Sequence, residues 1–215
     1  MRPLPRLLAF TDDRIAGLDD LGVRAAAIAA AGPAVGLVAR LPGGSTDQLA
    51  ALALRMVALA RPPEAIVLVT GRVDVALATG ARGVILRAGD LAVRHARDIV
   101  ARSGEAPGRN SANLFVLRSV HSAAEADAAV REGADALIVG PIWATPTHPG
   151  RPAAGTALLE KVVTFGVPAF AIGGVSVDRA REAASAGAWG VAVIRALWDS
   201  PQPYRDAMAM LAAFE

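Results

Sequence analysis

The chain has no cysteine, one lysine (Lys161) and few aromatic residues. Without cysteine there is no disulfide framework, no thiolate nucleophile and no thiolate-bound metal. No H-x-E, HExxH or CxxC spacing occurs either, which removes the usual zinc sites. The 22 Lys and Arg face 20 Asp and Glu, a formal charge of only +2. The sequence pI of about 9.9 therefore reflects arginine in place of lysine, with no thiols to titrate, and does not signal a cationic surface. There is no Lys/Arg run and no interleaving of basic with aromatic residues, so no nucleic-acid partner is expected. No uncharged apolar run reaches the ~20 residues that span a bilayer, so no membrane partner is expected. The start, Met1-Arg2-Pro3-Leu4, lacks the apolar core and cleavage site of a secretory signal, and the expected location is the cytoplasm.

What is present is hydrophobicity in short pieces. Apolar residues make up 53% of the chain, ample for one sizeable core. Strand-like runs recur at 6–10, 34–40, 65–70, 83–86, 113–117, 136–139, 169–172 and 190–194. They are nearly continuous rather than alternating, as expected for parallel strands buried on both faces. Alanine-rich helical patterns lie between them, most clearly at 46–60, 91–103, 123–133, 155–164, 178–187 and 201–214. Ser122 with Glu125 forms an S-x-x-E capping box, and Ser176 stands where a cap is needed. Strands alternating with helices over residues 1–215 predict a single (β/α)8 TIM barrel, one domain with no internal boundary.

In such a barrel, chemistry collects where the strands end at their C-termini. After the seventh and eighth runs come Gly173-Gly174 and Ile194-Arg195. Two glycine-bearing or amide-presenting turns at these strand ends suit a phosphate, because glycine has no Cβ to keep an oxygen from the backbone amides. The same glycines also suit a simple tight turn. After the fifth run comes R-S-V-H-S, where Ser119 suits a substrate heteroatom. His121 suits proton transfer there, since imidazole alone has an ordinary pKa (~6.5) near neutrality. Equally, His121 suits capping of a backbone group at the strand–helix junction. After the sixth run, G-P-I-W-A-T-P-T-H-P-G (140–150) offers Thr145, Thr147 and His148 on a loop over the mouth, or simply a long surface loop. Asp90, after the fourth run, suits either Mg2+ or the N-cap of the next helix. His95 falls in mid-helix and reads as a solvated or helix-packing residue.

Taken together, G-P-I-W-A-T-P-T-H, A-I-G-G-V and G-A-W-G-V-A-V-I, in that order and spacing, resemble the thiamine-phosphate synthase/TenI superfamily over nearly the whole chain. The resemblance implies a barrel, thiamine biosynthesis, a small phosphorylated thiazole as substrate and a homodimer. Synthases of this superfamily join a pyrimidine pyrophosphate to the thiazole phosphate with Mg2+. They typically carry Q-x-R-E-K after strand two, N-D-R after strand three, a further Asp after strand four and T-x-T-K on the sixth loop. Here Arg40 alone matches the first motif, and Thr70 and Gly71 replace the Asn and the metal-binding Asp ahead of Arg72. Asp90 matches the later Asp, a metal ligand only if the chain is a synthase. Thr145 and Thr147 are kept, and His148 replaces the lysine. Losing a carboxylate and a lysine removes groups that would balance a departing pyrophosphate.

G-R-V-D-V-A (71–76) and R-S-V-H-S resemble instead the TenI-like thiazole tautomerases. That resemblance implies a proton-transfer isomerase needing no cofactor, with His121 as base and then acid. Arg40 or Arg118 would hold a substrate carboxylate. Gly173, Gly174, Ile194 and Arg195 would hold the phosphate, or Arg195 would block the pocket. The readings are therefore a tautomerase, with a divergent synthase and a non-catalytic thiazole-phosphate-binding or regulatory protein as alternatives.

Overall fold

The eight apolar runs become eight parallel strands in a computed structural model that describes residues 4–60, 65–104, 114–145, 150 and 152–215. They are β1 (Leu7–Phe10), β2 (Val35–Ala39), β3 (Ile66–Thr70), β4 (Gly83–Leu86), β5 (Phe115–Val120), β6 (Ala136–Val139), β7 (Ala169–Ile172) and β8 (Gly190–Val193). Each pairs with the next, and β8 returns to β1 in the register Leu7 with Val191, closing the barrel. The helices are α1 (Asp13–Ala16), α2 (Leu21–Ala29), α3 (Thr46–Ala60), α4 (Val73–Thr79), α5 (Val93–Gly104), α6 (Ala123–Arg131), α7 (Gly155–Val163), α8 (Val177–Ser185), α9 (Arg195–Trp198) and α10 (Pro203–Leu211). Helix ends differ from the sequence expectation by at most three residues. The four-residue helices α1 and α9 are too short to leave a periodic signal.

Strand parity sorts the side chains into two cores. Leu8 and Phe10, Val38, Ile66 and Leu68, Ile85, Phe115 and Leu117, Ala136 and Ile138, Phe170 and Ala192 fill the barrel interior. Their neighbours of opposite parity, such as Leu7, Leu37, Val67 and Val191, pack outward against the helices. Both faces of each strand are thus dry, which is why the sequence shows continuous apolar runs without alternation.

Below the barrel, the Arg6 guanidinium lies 3.5 Å from the centroid of the Trp189 ring and donates to the Trp189 carbonyl at 2.8 Å. The Trp189 indole donates to the Pro5 carbonyl at 2.8 Å. These contacts tie the approach to β1 to the start of β8. Arg6→Leu is expected to cost about 1 kcal/mol from the lost cation–π contact. In a chain of this size that lowers the melting temperature by roughly 2–4 °C in a thermal scan. An unchanged melt would show that the contact contributes nothing.

The structure moves one boundary that matters for function. β5 was expected at 113–117 but runs from Phe115 to Val120, so Arg118 and Ser119 are strand residues (position 113 lies outside the described residues). Arg118 pairs with Leu86 and Leu137, and Ser119 with Ile138.

Candidate active site

Continuing the inward parity of each strand by one or two residues leads to the polar groups at the barrel mouth. Val38 is followed by Arg40, Leu68 by Thr70, Ile85 by Arg87, and Leu117 by Ser119 and His121. All of these line a cavity of about 560 Å³ at the C-terminal strand ends, floored by Phe10, Ile85, Ile138 and Ile172. Among the described residues, Arg40, Arg87, Arg179 and Arg195 line it and no aspartate or glutamate does. A small apolar floor under four cations, of which only Arg87 has an ion-pair partner among the described residues, suits a flat molecule with more than one anionic group.

The sequence-expected residues divide accordingly. Arg40, Ser119, His121, Thr145, Gly173, Gly174, Ile194 and Arg195 come together around the cavity. Thr147 and His148 lie outside the described residues. Arg118 is absent from the cavity wall. Its parity, opposite to that of Leu117 and Ser119, turns it outward, where its guanidinium donates to the Leu91 carbonyl at 3.2 Å. Arg72 is also absent, although its parity matches Thr70. The chain leaves the strand line at Gly71 (φ 74°), and Arg72 turns to Asp74 (2.9 and 2.5 Å) and to Thr46. Nor does Asp90 cap a helix, because α5 begins only at Val93. His95 is solvent-exposed, the solvated of the two placements expected of it.

Local bonds fix the functional groups. The His121 main-chain N–H donates to Glu125 Oε2 at 2.8 Å, and Glu125 N–H to Ser122 Oγ at 3.2 Å. The expected capping box therefore forms, with its carboxylate reaching one residue further back than usual. The His121 ring meets the Gly140 carbonyl through Nδ1. A carbonyl only accepts, so Nδ1 carries the proton of the neutral ring and Nε2 is its basic nitrogen. At β2, Thr11 Oγ1 donates to the Arg40 carbonyl (2.8 Å) and accepts from the Arg40 N–H (2.9 Å), so the end of β1 holds the main chain of Arg40. Burial, and next the charge of Arg87, press the Arg40 guanidinium below its ordinary range. Arg40 forms no ion pair among the described residues, so a bound anion would relieve both effects.

Opposite lies the glycine pair. Gly173 (φ 94°) and Gly174 (φ 66°) adopt the left-handed conformation that glycine tolerates at no cost. They also lie under the sixth loop. A Cβ on Gly173 would stand 2.6 Å from Pro141 Cβ, and one on Gly174 2.5 Å from the Ala144 carbonyl oxygen. Ser176 caps α8 by accepting from Arg179 N–H at 3.3 Å, and Arg179 Nη1 donates to the Gly174 carbonyl at 2.6 Å. Arg195 is solvent-exposed at the rim, so it does not plug the cavity. The sequence places Arg87 among the candidates at the fourth strand end but assigns it no role, and Arg179 is not among the candidates at all. No comparable signal marks Arg179, which is placed by the cap on α8.

Residues 7–197 match the thiamine monophosphate synthase family model, TMP-TENI. The chain belongs to the thiamine-phosphate synthase/TenI family. It is 40% identical over 162 residues to the thiamine-phosphate synthase of Thermus thermophilus, covering 74% of this chain and 73% of that protein. It is 38% identical over 156 residues to that of Mycolicibacterium smegmatis, covering 72% and 64%. Among solved structures, a thiamine phosphate pyrophosphorylase from Pyrococcus furiosus superposes with a TM-score of 0.77 at 28% identity, covering 97% and 95% of the two chains. Membership makes this a thiamine-biosynthesis enzyme of the family. No helix among the described residues is long and apolar enough to cross a membrane.

Proposed function

We propose that this family member is a thiazole tautomerase, which moves a proton on a carboxythiazole phosphate and aromatises its ring. The observation that carries the reading is the composition of the cavity wall. A histidine with a defined basic nitrogen stands beside Ser119 over an apolar floor, among arginines. The phosphate would sit at Gly173, Gly174, Ile194 and Arg195, with Arg179 alongside. The ring would lie on Ile85, Ile138 and Ile172. His121 Nε2 would take a ring proton as the base and return one from the resulting imidazolium at another ring atom. The reaction is an isomerisation, so no atoms are gained or lost. The Gly140 carbonyl accepts from Nδ1–H throughout, which orients the imidazole.

The names of the relatives favour a second reading, the joining of a pyrimidine pyrophosphate to the thiazole phosphate. In that reading Mg2+ would neutralise the leaving pyrophosphate. The donor set at the expected place does not fit it. Gly71 supplies no ligand, and both Asp90 oxygens accept from Arg87: Oδ2 from its N–H at 2.7 Å and Nε at 3.1 Å, and Oδ1 from Nη2 at 3.2 Å. Among the described residues no group of three His, Cys, Asp or Glu could hold a metal ion.

The test supplies the non-aromatic carboxythiazole phosphate tautomer, a competent synthase and the pyrimidine pyrophosphate, and measures thiamine phosphate formation. Acceleration by this protein is the expected result. No acceleration, together with Mg2+-dependent pyrophosphate release by this protein alone, would replace the reading with the synthase. Neither activity, with binding of thiazole phosphate retained, would make it a binding protein.

A further inference from the structure

The cation that stands beside Asp90 belongs to the protein itself. Arg87 follows Ile85 on the inward face of β4, and its guanidinium crosses over the end of β3. A Cβ on Gly71 would stand 3.0 Å from Arg87 Nη2 and 3.2–3.3 Å from the Asp90 carboxylate oxygens. The bare backbone at Gly71 is therefore the space that the Arg87–Asp90 pair occupies. Asp90 is largely buried (its side chain is 15% exposed), whereas Arg87 is 45% exposed at the cavity wall. The pair engages Nε and Nη2. A guanidinium carries five N–H donors, so the fork retains donors for a ligand. Arg40, one strand beyond β3 on the other side, lines the same cavity and is close enough for the two charges to oppose each other.

Resting on the tautomerase reading, we propose that Arg87, oriented by Asp90, forms with Arg40 a receptor for the ring carboxylate of the substrate, so that a fixed guanidinium does without metal what a divalent cation would otherwise do at this strand end. A planar fork matches a carboxylate bidentately and holds it at a set angle, which a mobile ion does not. The β2 and β4 ends hold one anion while the β7 and β8 ends hold the phosphate, and the ring between them is brought to His121. Arg87 is thus a specificity-determining residue: it selects a thiazole phosphate that carries a carboxylate over one that lacks it.

Calorimetric titration with two probes tests this, thiazole phosphate with and without the ring carboxylate, each measured in Mg2+ and in a chelator. Wild type is expected to prefer the carboxylated probe by about 10- to 100-fold, the range of one charge-assisted pair, with no effect of the chelator. Arg87→Gln is expected to lose that preference while binding the probe without a carboxylate within about threefold of wild type, which also reports that the variant is folded. Asp90→Asn is expected to lose part of the preference, because it frees the fork. A preference that survives Arg87→Gln, or carboxylate binding that requires Mg2+, would overturn the receptor and leave the tautomerase reading standing. Failure of wild type to bind either probe would overturn that reading itself.

Discussion

On the proposed tautomerase reading, His121→Ala is expected to lower the rate of thiazole tautomerisation by about 10²- to 10⁴-fold, the usual range for one general acid–base group. His121 lies at the end of β5, lines the cavity, and binds the Gly140 carbonyl through Nδ1. Two roles are therefore separable. A residue that only clamped β5 to β6 could be replaced by asparagine, whose amide donates to the same carbonyl. An acid–base residue could not, because the amide has no basic nitrogen. The expected result is that His121→Asn is as slow as His121→Ala, that kcat falls far more than KM rises, and that carboxythiazole phosphate binding persists in both variants. Near-wild-type turnover by His121→Asn would assign the ring a structural role and end the proposed mechanism.

Gly190→Val unravels the closure of the barrel. Gly190 begins β8, where a Cβ would stand 2.0 Å from the Arg6 carbonyl oxygen, 2.7 Å from its carbon and 2.9 Å from Arg6 Cα. All three are main-chain atoms immediately before β1, the strand that β8 must pair with, and the same carbonyl accepts from Val191 N–H at 2.9 Å. A flexible side chain could move aside, but here the β1–β8 ladder itself must part. The expected loss is about 3 kcal/mol or more, at the upper end of overpacking costs. It would be read as a lower midpoint in urea at an unchanged slope. Gly17→Ala serves as the control, since a Cβ there would meet nothing nearer than 3.6 Å. Equal midpoints for the two variants would show that the backbone can yield at the seam, and would defeat the prediction.

These two residues also mark how far the sequence could be read. His121 was legible by type and place: a histidine just beyond an apolar run, followed by a capping box that forms as written. The barrel was legible too, because each strand is dry on both faces and the helices between carry apolar faces, several of them capped by their own side chains at Asp12, Ser45, Ser122 and Ser176. Both are local properties, set by periodicity and turn chemistry within one element. Arg118 was misjudged because the end of β5 was placed too early. Adding three residues to a strand does not change which side each faces, but it does show that Arg118 shares the outward parity of Val116 and Val120.

What the amino-acid sequence determined by itself is the repeating strand–helix plan, the glycines at the seventh strand end and the presence of a titratable group at the fifth. Tertiary structure decided the rest, because it depends on what lies across the barrel. Gly190 is needed for the approach of Arg6, 184 residues away in the chain. Gly71 is needed for an arginine from the next strand. Arg40 meets the charge of Arg87 only when β2 and β4 flank β3. Closing the sheet brings these groups to one mouth, and no pattern within a single segment encodes that distance.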